Sequence, residues 1–236
     1  MTIGAVLDEA WTLYTRFFGR FFLLGLVVFA IVNLAYALLV EAIANDSAGA
    51  VATLGILGVA AAIIGTTWLQ GAFVYAVQDA RDGSFDSTVQ DVFVRVSPAI
   101  LPLLVAGLLA GLAIAIGFVL FIVPGLFLLT IWAVIGPVIV IERTRALDAF
   151  GRSRELVRGH GWTVFAIVLI TGLLSAIASG ILQAVFAFLP RFLEIFVGGT
   201  IAQAVVAPFV AIALALTYFR LRDAYGAPAE AVATDP

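Results

Sequence analysis

Glu142 and five arginines, Arg143, Arg145, Arg152, Arg154 and Arg158, crowd together in a chain whose twelve basic residues are all arginine. This grouping suits two kinds of chemistry. A guanidinium forks onto phosphate, and a basic residue near an anionic bilayer surface contributes about 1 kcal/mol to lipid binding. Alternatively Glu142, which closes an apolar run and follows Pro137, pairs with Arg152 or Arg145 and locks two elements together. Contact with a phosphate-bearing headgroup, or plain exposure to water, are the other roles open to it. A second pattern runs Thr171, Ser175, Ser179, Gln183. Residues four apart share a helix face, and Gly172, Ala176 and Gly180 lie beside this one. Such a face either lines a polar path or lets helices approach closely, and close packing is the commoner use of small, weakly polar residues in membranes. Gly107 and Gly111 form a GxxxG pair with the same packing reading.

Much chemistry is excluded. There is no cysteine and one histidine, His160, so no thiolate or disulfide forms and neither a metal site nor a cofactor is expected. No nucleophile elbow, HExxH pair or phosphate-cradling loop is present, and the chain reads as non-enzymatic. The amides in or near apolar stretches are Asn33, Gln70, Gln78 and Gln203. No stretch carries a clear mid-membrane ionisable residue, which argues against transport driven by buried charge.

The elements that must position these residues follow from composition. Of 236 residues, 64% are hydrophobic and 11% charged, against roughly 45–50% and 25% in soluble domains. About 20 apolar residues cross a bilayer core, and six stretches qualify: about 21–43, 51–78, 98–122, 125–141, 162–189 and 196–219. The third and fourth share one uncharged run, Pro98 to Ile141, for which Pro124-Gly125 is the natural divider. The expected fold is all-α, a six-span domain over residues 1–222 with a disordered tail over 223–236. Arg16, Arg20, Arg81, Arg95, the five clustered arginines, Arg220 and Arg222 fall on one side, and Arg191 alone on the other. Basic loops stay cytoplasmic, which predicts a multi-pass inner-membrane protein with both termini inside.

Three cytoplasmic segments, about 3–20, 86–97 and 146–158, have amphipathic helical patterns. The first sets Val6, Ala10, Leu13 and Tyr14 against Asp8, Glu9 and Arg16, with its apolar face expected on the membrane surface; Asp86 or Ser87 would cap the second. Surface helix, span, span thus recurs three times, a pattern that suits either an internal repeat or the ordinary amphipathicity of helices beside a bilayer.

The stretch Pro124-Gly125, Trp132, Pro137, Glu142, Ala146, Arg152-Ser153, Leu156-Val157, Gly159, Trp162 resembles the membrane domain of membrane-anchored glycerophosphoryl diester phosphodiesterases and of related free-standing membrane proteins. The resemblance implies the membrane part alone. The catalytic barrel of the anchored enzymes, with its histidines and metal-binding carboxylates, has no counterpart here.

The functional expectation is a non-enzymatic integral membrane protein that binds anionic lipid, or a partner protein, through its arginine-rich face. The alternative is a transporter or channel for a small or amphipathic molecule along the fifth span. Membrane lipids are the expected partners, with a protein partner or a second copy open. Nucleic acid is not expected, because the basic residues form short loop clusters rather than a stripe.

Overall fold

The computed structural model describes residues 2–81 and 88–226. Six helical segments there are long and apolar enough to cross a membrane. In chain order, α1 (Ile3–Arg16) precedes a hairpin of α2 (Phe18–Ala44) and α3 (Ala48–Arg81). Short α4 (Val89–Val96) leads through a 3₁₀ turn into α5 (Ile100–Leu120). The fourth span is α6 (Ile122–Ile131) plus α7 (Ile135–Glu142), followed by α8 (Ala146–Val157) and α9 (Gly161–Phe186). The sixth joins the turn α10 (Arg191–Leu193), a π-helical segment and α11 (Gly199–Gly226). Leu101, Leu108, Ile56 and Val119 are 69, 69, 72 and 86% exposed. A surface this rich in large apolar groups is stable against lipid rather than water.

Several boundaries differ from the sequence reading. The first helix stops at Arg16, and the span begins at Phe18 instead of residue 21. Its apolar stripe is also already occupied. Val6, Ala10 and Leu13 are buried, the Tyr14 hydroxyl donates to the Val205 carbonyl at 3.0 Å, and the Trp11 and Tyr14 rings meet Phe209. Protein, not membrane, covers most of that face, because α11 offers a continuous apolar side next to it. The cap of α4 is Thr88, whose hydroxyl accepts from the Asp91 N–H while the Asp91 carboxylate accepts from the Thr88 N–H. Asp86 and Ser87 lie outside the described residues. Helix α11 continues to Gly226, past the start of the expected tail; residues 227–236 lie outside the description.

The divider between the third and fourth spans is Phe121 rather than Pro124-Gly125. Phe121 is extended, with φ −159° and ψ 150°, and α6 has begun by Ile122. Pro124 sits in the first turn, where its missing N–H costs nothing. Gly125 does a different job from turning: a Cβ there would lie 2.5 Å from the Phe118 ring. A Cβ on Gly117 would likewise crowd the Gly125 backbone, at 3.0 Å. The two glycines let this hairpin close.

Candidate functional site

The fourth span is broken in the middle, and the break positions the arginine-rich segment. Pro137 has no N–H to offer the Ala133 carbonyl, and its ring crowds that carbonyl. The chain therefore leaves the α-helix at Trp132 and re-enters it at Ile135. The Ile135 N–H turns to the Trp132 carbonyl at 3.2 Å, which frees the Ile131 carbonyl. The hydroxyl of Ser153, fully buried on α8, donates to that carbonyl at 2.8 Å. Beside it the Trp132 and Phe150 rings meet edge to face, 4.9 Å between centroids. Ala149, Leu156 and Val157 complete the buried face of α8. The proline that breaks the span thus creates the acceptor on which α8 docks.

Helix α7 ends at Glu142, and Arg143 takes the left-handed conformation, φ 52°, to turn the chain toward α8. The turn brings Glu142 and Arg152 together. The Arg152 Nε lies 3.0 Å from Glu142 Oε2 and 3.3 Å from Oε1. A third element joins them: the hydroxyl of Tyr218, on α11, donates to Glu142 Oε1 at 3.1 Å. Arg152 also lies 3.6 Å from Glu155 and over the Tyr225 ring. Burial works against the charge of Arg152, but the hydrogen bonds and negative charge of Glu142 outweigh it and hold the guanidinium above the ordinary arginine value.

Other arginines at this end also tie helices together. Arg220 reaches Glu9 at 2.6 Å, Arg81 approaches the same carboxylate at 3.8 Å, and Arg95 pairs with Asp79 at 3.2 Å. The remaining members of the sequence cluster are different. Arg143, Arg145, Arg154 and Arg158 are exposed, and none has an ion-pair partner among the described residues. One of the five clustered arginines is structural and four are presented outward.

The fifth-span residues do not form a common lining. Thr171 is buried and donates to the Ile167 carbonyl of its own helix at 2.7 Å. The Ser175 hydroxyl is buried with no partner among the described residues, Ser179 is half-buried, and Gln183 is exposed. A cavity of about 530 Å³ lies elsewhere, bounded by Phe29 of α2, Gln70 of α3, Gly107 of α5, Ala133 and Pro137 at the break, and Ala211 of α11. None of the four fifth-span residues lines it. Nor do Gly107 and Gly111 pack against another helix, since a Cβ at either would meet nothing within 4 Å.

A family model described as a domain of unknown function, DUF7847, matches residues 83–221, more than half of the chain. The chain belongs to the DUF7847 family. No curated protein and no solved structure matches it, and nothing in these comparisons ties it to the phosphodiesterase membrane domain that residues 124–162 resemble. The DUF7847 region holds the break, Glu142, Arg152, Ser153 and Tyr218, while Glu9, Gln70 and Asp79 come from helices ahead of it. Sequence reading missed Tyr218 because a tyrosine near the end of an apolar span looks like an interfacial anchor. It missed the use of Ser153 because the acceptor, a freed backbone carbonyl, has no side-chain signature.

Proposed function

We propose that this DUF7847 protein is a non-catalytic inner-membrane protein that recruits anionic phospholipid to an arginine-bearing cytoplasmic face. The division of labour among its arginines supports this reading. Arg81, Arg95, Arg152 and Arg220 are spent on contacts between helices, whereas Arg143, Arg145, Arg154 and Arg158 project outward from the turn and helix that the broken span holds in place. Residues 142–158 carry five arginines against Glu142, Asp148 and Glu155, a net charge of +2, and the carboxylates of Glu142 and Glu155 are already engaged by Arg152. At about 1 kcal/mol per basic residue near an anionic surface, four outward arginines contribute at most about 4 kcal/mol. In this reading α4 and α8, each presenting one buried and one open side, sit at headgroup level as a collar, and the surface-helix, span, span order is an internal repeat.

The test is lipid retention by native mass spectrometry. Protein is released from bilayers of mixed phosphatidylglycerol and phosphatidylcholine, and the parent is compared with a variant carrying Gln at positions 143, 145, 154 and 158. Selective loss of retained phosphatidylglycerol in the variant supports the proposal. Equal retention by both proteins rejects it.

A further inference from the structure

We infer that the cavity beside the broken fourth span is a binding site for a neutral lipid, a long apolar molecule ending in one uncharged hydrogen-bonding group. Its volume, about 530 Å³, lies within the roughly 300–1,000 Å³ of small-ligand sites. It lies next to the junction of α4 and α5: Gly71, beside Gln70, faces Val96 and Leu103, and the Trp68 indole donates to the Phe93 carbonyl at 2.9 Å.

The wall is apolar with a small polar focus. The Thr66 hydroxyl is committed to the Ala62 carbonyl of its own helix. The Gln70 amide and the Trp132 indole N–H have no hydrogen-bond partner among the described residues, and Pro137 deprives the Ala133 carbonyl of its helical donor. Gln70, Trp132, Ala133 and Pro137 all border the cavity. Non-helical backbone at membrane depth is tolerated where it is covered by protein or lines a cavity, and interrupted spans are where membrane proteins build mid-membrane sites. This site offers both donors and an acceptor, so it suits a hydroxyl or carbonyl.

The lining contains no ionisable side chain, so nothing in it would balance a buried charge. That excludes a fatty acid anion or a phospholipid headgroup. Entry is from the bilayer. Gln70 and Gly107 are exposed lining residues on neighbouring spans, and the space a Gly107 Cβ would take is empty, so the mouth lies between α3 and α5.

The experiment is photolabelling of the full chain in nanodiscs with a diazirine-bearing long-chain alcohol, with adducts mapped by peptide mass spectrometry. Adducts are expected on the cavity wall. Gly107→Leu, which puts a side chain into open space on a helix and so preserves folding, should cut them roughly tenfold by closing the mouth. Gln70→Leu should cut them by a similar factor, the order expected for a hydrogen bond lost in a desolvated site. Gly111→Leu, outside the cavity and equally unobstructed, should leave labelling unchanged, and the matching carboxylate probe should label the wall roughly tenfold less. Adducts scattered over the exposed faces, equal labelling in the Gly107→Leu and Gly111→Leu proteins, or equal labelling by the carboxylate would overturn the assignment.

Discussion

Replacing Glu142 with Gln keeps the side chain's length and shape but removes its charge. Tyr218 retains an amide oxygen as acceptor, so the change isolates the interaction with Arg152. The Arg152 and Glu142 side chains are 27 and 21% exposed, which places the pair between two limits. Exposed pairs contribute roughly 0.2–1 kcal/mol, and removing one partner of a buried pair costs about 3–5 kcal/mol. Glu155, 3.6 Å from Arg152, supplies a partial replacement counter-charge. The expected destabilisation is therefore about 1–2 kcal/mol for Glu142→Gln, and similar for Arg152→Gln, whose loss leaves Glu142 with Tyr218 alone. Because the two substitutions remove the same contact, the double variant should fall short of their sum by about 1 kcal/mol. Reversible unfolding in mixed micelles of increasing dodecyl sulfate content, followed by tryptophan fluorescence, measures all four corners of the cycle. Trp132 reports locally, since its ring rests on Phe150 of α8. Strict additivity, within about 0.3 kcal/mol, would refute the reasoning and leave α8 held by the Ser153 hydrogen bond and its buried apolar face.

Ser153→Ala should cost about 1–2 kcal/mol by stranding the Ile131 carbonyl, and the cost should shrink beside Pro137→Ala, which lets the helix run on and returns the Ile135 N–H to that carbonyl; the same unfolding assay reads both. Gly125→Val should destabilise by about 1–3 kcal/mol or more through collision with Phe118, whereas Gly136→Ala, with nothing within 4 Å of the new Cβ, should leave the melting temperature within error of the parent. Thr88 and Arg95 hold the Asp91 carboxyl below the usual carboxylate range, the Thr88 hydrogen bonds contributing most. A lowered folded pKa means the cap's contribution is present above the ordinary value of about 3.9 and is lost as pH falls through the lower one. Amide exchange in Val89–Val96, corrected for intrinsic rates, should then show constant protection from about pH 5 to 8; a fall in protection on acidification toward pH 5 would contradict the cap.

The spans were legible because their signal is collective. Twenty apolar residues outweigh any local ambiguity, and the arginine distribution marks one end of every hairpin. Single-residue events were harder. Pro124-Gly125 has the composition of a turn, yet the chain turns at Phe121, whose identity carries no turn signal; Gly125 is set by the approach of Phe118, a tertiary fact. Pro137 announced a lost hydrogen bond, but not that the helix would break three residues upstream or that a serine on the next helix would answer it. Spacing left Glu142 open to Arg152 or Arg145, because sequence proximity does not say which arginine turns inward; Arg152 turns to Glu142, beside Tyr218, and Arg145 is exposed. In α1 the amphipathic pattern was plain, but periodicity identifies a buried face without naming what buries it.

The one-residue turn at Phe121 bears on how the chain enters a bilayer. Val119, Phe121, Ile122 and Val123 are 86, 74, 68 and 74% exposed, and no charged residue occurs between Pro98 and Ile141. Helix α5, with 21 residues, is about 31 Å long and matches the hydrocarbon thickness, whereas the 34 residues of α3 extend to about 51 Å. The hairpin tip is therefore greasy and reaches only to the hydrocarbon boundary, whereas α3 is about 20 Å longer. During biosynthesis this hairpin can partition sideways into lipid as a closed unit, with no hydrophilic loop to drag across. The finished protein ends there at the hydrocarbon boundary, so the adjacent lipid meets it without thinning.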